Sequence, residues 1–177
     1  MAGRDRISSF EVCVEAMEQA NNTGIVAVGS DHAGYSLKCR LVKELKRLGY
    51  QVTDVGTGSE ESCDYPDFAL KVARMVSEGE CARGVLVCGT GAGMAMVANK
   101  LPGVRAAACN ETYTARYCRL HNDANILTMG ARVIEPETAL EIARVFMETG
   151  YQGDSEEGLR HRRRLEKLLE IERRYLR

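Results

Sequence analysis

The stretch VLVCGTGAGMAMVANK, residues 85–100, combines a cysteine with a glycine-rich loop. An apolar run ends at Cys88, then Gly89, Gly91 and Gly93 follow, and a helical pattern begins after them. Such glycines let backbone N–H groups turn toward an anion at a helix N-terminus, where partial positive charge collects. The same charge favours a thiolate, because helix N-termini lower a thiol pKa from about 8.5 to roughly 3.5–7.5. The stretch therefore predicts a thiolate that exchanges a proton beside N–H groups that hold the resulting oxyanion.

Better known glycine-rich loops do not fit this stretch. A dinucleotide-binding G-x-G-x-x-G that starts at Gly89 requires a third glycine where the chain has Met94. A P-loop requires a Lys-Ser or Lys-Thr pair after its last glycine, and no such pair follows a glycine here. A cysteine phosphatase loop requires an arginine at the position of Met94. The alternative interpretation of Cys88 is a core residue, since free cysteine is among the most often buried residue types.

Two of the three histidines accompany polar residues that could act with Cys88. His32 follows Asp31 directly after the first apolar run. Both residues are therefore expected beyond the carboxyl ends of the strands, where Cys88 also lies. His121 precedes the fifth apolar run, within RLHNDAN. Histidine exchanges protons near neutral pH and contributes about 10²- to 10⁴-fold in rate as an acid or base, which makes both residues functional candidates. His161 lies in a cluster of arginines and is interpreted as a structural residue.

A regular alternation of strands and helices is predicted to position these residues. Five mostly apolar runs indicate strands buried on both faces, as in a parallel sheet: residues 24–31, 50–56, 83–89, 104–110 and 125–133. Helical patterns occupy residues 37–48, which end before Gly49, and 66–79, 111–123, 136–150 and 156–176. This order predicts a doubly wound α/β fold: a mostly parallel five-stranded sheet in a three-layer, Rossmann-like α/β/α sandwich, which binds ligands beyond the carboxyl ends of its strands.

The length of 177 residues is that of one domain with a sizeable core. Residues 23–177 are predicted to form this domain, including the C-terminal helix. Residues 1–22 form an N-terminal extension, in which SSFEVCVEAMEQA predicts a further helix with Ser8 and Glu11 spaced as a capping box.

The composition argues against several classes of partner. The chain has 24 basic and 25 acidic residues and a formal charge of −1, so nucleic-acid binding is not expected. No apolar run reaches the roughly 18 residues of a membrane span, and the N-terminus lacks the apolar region of a secretory signal, so a cytoplasmic protein without membrane contact is expected. The seven cysteines form no C-x-x-C pair, which favours free thiols and no metal site.

Several motifs together resemble one family. These are GSDHAGYSLK, DVGT followed by DYPDFA, VCGTGAGMAMVANK, CNETYTA, RLHNDANIL and GARV, and they occur in the family's order between residues 24 and 172. Through these motifs the chain resembles the ribose-5-phosphate isomerase B family, which includes the galactose- and allose-6-phosphate isomerases. The resemblance implies the interconversion of an aldose phosphate and its ketose through a cis-enediolate, with no metal or organic cofactor.

The resemblance also implies roles for single residues. Cys88 moves the proton between C1 and C2 with Thr90 beside it, and His121 helps to open the sugar ring. The residues implied in substrate binding are Asp31, His32, Gly89, Thr90, Gly91, Ala92, Gly93, Asn122, Arg132, Arg160 and Arg164, of which His32 and the arginines lie at the phosphate end. Arg160 and Arg164 are four apart and share a helix face, whereas Arg162 and Arg163 are interpreted as solvated. Tyr65 either lines the sugar pocket or packs on the adjacent proline.

The predicted mechanism depends on the thiolate of Cys88. Some relatives use a glutamate in place of the cysteine, just after the last glycine of the loop. Because the chain has Met94 there, no substitute for the thiolate is evident.

Assembly of the chain is expected from the helix that follows the loop. Residues 94–98 are apolar all round, which is typical of a helix that is buried on every side. This pattern supports a homo-oligomer, and the resemblance implies a homodimer, with a tetramer as the alternative, whose sites draw residues from both subunits. The competing interpretation is a helix deep within a single domain.

The predicted reaction is the interconversion of ribose 5-phosphate and ribulose 5-phosphate. A six-carbon sugar 6-phosphate, allose or galactose, is the alternative substrate. A sugar-phosphate binding module without catalysis is the alternative function, although such a module has no need to keep Cys88 and His121 together.

Overall fold

The computed structural model describes residues 24–175, in which five strands form one sheet. The strands are β1 (Ile25–Ser30), β2 (Gln51–Asp54), β3 (Arg83–Cys88), β4 (Ala106–Ala108) and β5 (Ile126–Gly130). They lie in the order β2-β1-β3-β5-β4, and all four pairings are parallel. The predicted five-stranded, mostly parallel sheet is confirmed.

The central and edge strands differ in burial. Side chains of β3 and β5 are almost all buried, as are those of β1 after its first residue, as predicted for strands covered on both faces. The prediction is wrong for β2 and β4, whose residues are half-buried or exposed, because these strands close the two edges of the sheet. Strands of three or four residues are too short for their burial pattern to be recognised from the sequence.

Six helices follow within the described residues. They are α1 (Tyr35–Arg47), α2 (Tyr65–Ser77), α3 (Ala92–Ala98), α4 (Thr112–Asn122), α5 (Pro136–Glu148) and α6 (Leu159–Tyr175). Prolines stand in the first turns of α2 and α5, where a missing N–H costs nothing, and Gly49 follows α1 with a left-handed φ of 90°. A short 3-10 turn, His32–Gly34, joins β1 to α1 and was not predicted.

Two apolar cores give the molecule its three layers. One core packs α1, α4 and α5 on one face of the sheet, and the other packs α2 and α3 on the opposite face. Helix α6 lies outside these layers against α4. The predicted α/β/α sandwich is therefore confirmed.

Helix α3 is not enclosed by its own chain. Met94 and Ala98 are buried, but Met96 is 68% exposed, so the interpretation of α3 as a helix deep within a single domain is wrong.

The predicted N-terminal helix and its capping pair, Ser8 and Glu11, lie outside the described residues, and the domain boundary at residue 23 stays a prediction. Among residues 24–175, no helix combines the length and the apolar character needed to cross a membrane.

Candidate active site

The ligand-binding crevice expected of this topology lies between β1 and β3, because the helices that follow these neighbouring strands cover opposite faces of the sheet. Asp31 follows β1 and Cys88 ends β3. The strand pairing continues past β1, where the N–H of Asp31 donates to the carbonyl of Val87 at 3.3 Å. Since Ser30 pairs with Val87, Asp31 is the next residue in register with Cys88, and both side chains leave the same face.

The Cys88 thiol lies beneath the glycine loop, and the residue is 5% exposed. Its Sγ accepts a hydrogen bond from the N–H of Gly91, with 3.2 Å between the two atoms. Gly91 has a left-handed φ of 81°, and a Cβ there would stand 2.9 Å from the backbone of Met129. Only glycine fits this position without strain, so the contact between the loop and the sulfur depends on Gly91.

The loop after Cys88 is fixed by the segment that follows β5. The N–H of Ala131 donates to the carbonyl of Cys88 at 2.8 Å, and the N–H of Arg132 donates to the carbonyl of Gly89 at 3.1 Å. Gly130 lies so close to the backbone of Thr90 that a Cβ would stand 2.8 Å from it. Thr90 itself is exposed at the mouth of the crevice.

Arg132 and Tyr65 flank this loop on two sides. The Arg132 side chain lies over Gly89, with its Cδ 3.5 Å from the place that a Cβ would take. The Tyr65 ring lies over Gly93, with ring carbons 2.9 Å from the corresponding place. The predicted phosphate-binding arginine and the predicted sugar-contacting tyrosine therefore both lie at the Cys88 loop.

Asp31 and His32 are held by backbone contacts. The Asp31 carboxylate is buried and accepts a hydrogen bond from the N–H of Gly34 at 3.0 Å, which caps the 3-10 turn. The Nδ1 atom of His32 lies 3.2 Å from the N–H of Cys63. The same Nδ1 atom lies 3.3 Å from the carbonyl oxygen of Cys63, so the backbone of this one residue holds the imidazole ring.

An ion pair between buried Lys38 and exposed Asp54 holds the loop that leads to Cys63. Lys38 is 3% exposed, and its Nζ lies 2.6 and 2.9 Å from the Asp54 carboxylate oxygens and 2.9 Å from the carbonyl of Thr57. This pair was not predicted from the sequence. The sequence feature that indicates the pair is a lysine on the buried face of α1, at helical spacing from Leu41 and Leu45.

His121 and Asn122 lie near the amino ends of the strands, whereas Cys88 lies at their carboxyl ends. They end α4, directly before the amino end of β5, where Gly84 donates to the carbonyl of Asn125. Cys88 pairs with Gly130 at the other end of β5. At roughly 3.3 Å per residue, the five residues of β5 separate the two ends by about 15 Å. Within one chain the structure does not bring His121 to Cys88.

The C-terminal helix brings His161 and the arginines to His121. The rings of His121 and His161 stack with 3.9 Å between centroids and an interplanar angle of 7°. The Nε of Arg160 lies 3.1 Å from the Nε2 of His161, and Arg164 stands one turn further along α6. Burial and the neighbouring His121, Arg160 and Arg164 lower the pKa of His161. His161 was predicted to be a structural residue, and nothing in the sequence indicates its contact with His121.

A three-residue ion network fixes the end of α4. Asp123 has a left-handed φ of 47°, and its carboxylate accepts from Arg105 and Arg119, both at 2.8 Å. Both arginines are buried. This network was not predicted, and the one sequence feature that indicates it is the i,i+4 spacing of Arg119 and Asp123. It anchors the turn that carries His121 and Asn122.

The predicted site residues therefore form two groups. The first, called the cysteine group, contains Asp31, His32, Tyr65, Arg132 and residues 88–93. The second, called the histidine group, contains His121, Asn122, Arg160 and Arg164. In the part of the chain that the structure describes, no three His, Cys, Asp or Glu side chains are arranged to hold a metal ion.

Comparisons with known proteins agree on one family. The family model described as Ribose/Galactose Isomerase matches residues 26–168. Ribose-5-phosphate isomerase B of Escherichia coli is 43% identical over 149 residues, which cover 84% of this chain and 97% of that protein. The solved structure of ribose-5-phosphate isomerase B from Clostridium thermocellum superposes with a TM-score of 0.81 at 49% identity, covering 85% of this chain and 99% of the other.

Relatives with another named substrate match as well. The D-erythrulose-4-phosphate isomerase of Pectobacterium atrosepticum is 42% identical over 131 residues, which cover 72% of this chain and 85% of that protein.

Proposed function

Since the chain belongs to the ribose/galactose isomerase family, we propose that it interconverts ribose 5-phosphate and ribulose 5-phosphate through a cis-enediolate, with Cys88 as the base. The observation that carries this proposal is the hydrogen bond from the Gly91 N–H to the Cys88 Sγ in the crevice between β1 and β3. This hydrogen bond supports the proposal because it holds the sulfur beside backbone N–H groups that can bind an oxyanion.

The proposed steps balance within the substrate and the thiol. The Cys88 thiolate takes the proton from C2 of the open aldose, and the C–H electrons form the C1=C2 bond while O1 becomes the oxyanion. Backbone N–H groups of the loop 89–93 hold that oxyanion, as in other preorganised sites where one lost donor costs about 2.7–4 kcal/mol. The thiol then returns the proton to C1, and the proton of the O2 hydroxyl passes to O1. This gives the ketose and restores the thiolate.

Ring opening and phosphate binding require the histidine group. Ribose 5-phosphate is mostly a ring, and opening it breaks the bond between C1 and the ring oxygen, with a proton added to that oxygen and one removed from O1. His121 is suited to this exchange, and Asn122 stands beside it for a sugar hydroxyl. Arg132, Arg160 and Arg164 supply guanidinium groups for the phosphate.

We place the complete site between two copies of the chain. The cysteine group and the histidine group flank opposite ends of β5, which are about 15 Å apart, so one pentose phosphate is not expected to touch both groups of one chain. A second copy that brings its own histidine group to the cysteine group solves this problem, and a two-fold axis then forms two identical sites.

Exposed apolar surface near each group supports such a dimer. Met96 on α3 is 68% exposed close to the cysteine group, although α3 is apolar throughout. Near the histidine group, a groove of about 520 Å³ is lined by Asn122 together with Ile171 and Tyr175, which are 61% and 69% exposed. Unpartnered apolar surface of this kind is typical of an interface.

The experiment that tests the proposal measures kcat on ribose 5-phosphate for the wild type, Cys88→Ala and Cys81→Ala. Cys81 is a matched control because it belongs to the same core but lies outside the crevice, and burial raises its pKa to about 11. We expect Cys88→Ala to lose about 10²- to 10⁴-fold in kcat with an unchanged circular dichroism spectrum, and Cys81→Ala to remain close to the wild type.

Allose 6-phosphate, galactose 6-phosphate and erythrulose 4-phosphate are assayed in parallel to test the substrate. Turnover of one of these without turnover of ribose 5-phosphate would contradict the pentose assignment and retain the mechanism. Binding of ribose 5-phosphate without turnover of any sugar would contradict the enzyme proposal in favour of a binding module.

A further inference from the structure

His161 stands between two members of the histidine group. It is 3% exposed, its ring lies flat on the His121 ring, and its Nε2 faces the Nε of Arg160 at 3.1 Å. One face of a single imidazole therefore contacts the proposed ring-opening residue, and one edge contacts a proposed phosphate-binding residue.

The protons of this cluster follow from the donor and acceptor roles. The Nε of a guanidinium always carries a proton, so it donates and the Nε2 of His161 accepts. The proton of the neutral His161 ring is then on Nδ1. A charged His161 would lose this hydrogen bond and would face His121 from α4 as well as Arg160 and Arg164 on its own helix. The Tyr117 ring packs against His121 at an interplanar angle of 55°, with 4.9 Å between the ring centroids.

We propose that His161 is a positioning residue that orients His121 through its ring face and Arg160 through its Nε2 atom. The inference rests on the proposed function, since it assigns a purpose to the residue next to the ring-opening and phosphate-binding groups. The flat contact restricts rotation of the His121 ring. The hydrogen bond occupies the Nε of Arg160 and leaves the two terminal nitrogens of its guanidinium for the phosphate oxygens.

A neutral His161 also confines the change of charge to His121. Two stacked rings that both became charged would repel each other at a centroid distance of 3.9 Å. Because His161 keeps its neutral form, His121 can gain and lose a proton during ring opening without this repulsion.

Two substitutions separate the two contacts and keep most of the side-chain volume. His161→Phe retains a flat ring against His121 and removes the acceptor for Arg160. His161→Gln retains an acceptor and removes the flat ring. Arg163→Gln is the matched control, because Arg163 is exposed on the same helix and belongs to neither group.

With ribose 5-phosphate as substrate, one variant should change mainly KM and the other mainly kcat. We expect His161→Phe to raise KM roughly tenfold, the effect of one hydrogen bond to a charged group, and to change kcat less. We expect His161→Gln to lower kcat roughly 10- to 100-fold, part of what an acid-base residue contributes, and to change KM less. Arg163→Gln should match the wild type. Equal changes of kcat and KM in both variants, as a general loss of structure would give, overturn the proposal.

Two readouts without turnover complete the test. In proton NMR spectra, the ring current of His161 shifts the His121 ring protons; His161→Phe should keep such a shift and His161→Gln should lose it. The Kd for inorganic phosphate should rise in His161→Phe and stay close to the wild type in His161→Gln. A wild type that turns over no sugar phosphate overturns the isomerase proposal, whereas His121 resonances and phosphate affinities that do not distinguish the variants overturn the role of His161.

Discussion

The stacked histidines His121 and His161 have different surroundings despite their contact. His161 is buried, accepts a hydrogen bond from Arg160 and has a lowered pKa, first because of burial and then because of nearby positive groups. His121 is half-buried at the last turn of α4. The pair therefore contains one ring that resists protonation and one that remains accessible for proton exchange.

The lowered pKa of His161 predicts that acid destabilises the fold. Below the ordinary pKa of about 6.5 the unfolded chain binds a proton at residue 161, while the folded chain does not until the pH reaches the lower folded-state value. The stabilising contribution is therefore complete above that ordinary pKa and is lost as the pH falls toward the folded-state pKa. We expect Tm to decrease between about pH 7.5 and about pH 5.5, and to decrease less in His161→Phe.

Thermal unfolding followed by circular dichroism measures both pH series. Arg163→Gln again serves as the control and should follow the wild type. The same slope of Tm against pH in the wild type and His161→Phe would show that residue 161 does not contribute the acid sensitivity.

Single residues were predictable from sequence where their partners are close in the chain. Cys88 and Gly91 belong to one short loop, and Asp31 and His32 follow one strand. The stack of His161 on His121 was not predictable, because it depends on how α6 packs on α4, and the same holds for the contacts of Asp123 with Arg105. The roles proposed for these residues in the reaction stay predictions until the variants are measured.

The turn from β3 into α3 is the element on which the proposed base depends. Gly91 occupies a left-handed conformation at the start of α3 and donates its N–H to the Cys88 sulfur. Gly91→Ala places a Cβ 2.9 Å from the Met129 backbone, and a left-handed non-glycine residue alone costs about 1–2 kcal/mol. We expect a free energy of unfolding lower by about 2 kcal/mol or more, and a kcat lowered with it because the N–H leaves the sulfur.

Urea denaturation and steady-state kinetics check this expectation against Gly58→Ala. Gly58 is exposed, its φ is not left-handed, and a Cβ there meets nothing within 4 Å. Equal stability of the two variants would mean that the turn tolerates another conformation.

The order of the elements was predictable from sequence because each central strand is a continuous apolar run and several helices have a recognisable start or stop residue. Pro136 begins α5 and Gly49 follows α1, as predicted. The exposure of β2 and β4 was not predictable, since a strand becomes an edge only through the order of pairing in space. Helix α3 was expected to be buried on every side, but Met96 is exposed in the single chain. The apolar pattern predicts that α3 is covered and does not identify the surface that covers it.

At the scale of the whole molecule, the sheet separates the cysteine group from the histidine group. The proposed dimer predicts that two inactive variants restore activity to each other. Cys88→Ala and His121→Ala are each expected to be inactive, but a mixed dimer contains one site with an intact cysteine and an intact histidine. After the two are unfolded and refolded together in equal amounts, half of the dimers are mixed, and about a quarter of the wild-type activity should return.

Activity of the refolded mixture on ribose 5-phosphate, compared with each variant refolded alone, is the measurement. The control mixture combines Cys88→Ala with the double variant Cys88→Ala/His121→Ala, which cannot form an intact site in any pairing. No gain of activity in the first mixture, with mixed dimers present, would mean that each chain forms its site by itself.

In the proposed dimer each site joins Cys88 of one chain to His121 of the other, so a chain that lacks both side chains inactivates both sites of every dimer it enters. In a cell that expresses such an allele and a normal allele equally, only dimers of two normal chains work, and these are about a quarter of the total rather than half. The defective allele is thus expected to be partly dominant, although the normal gene product is made in its usual amount.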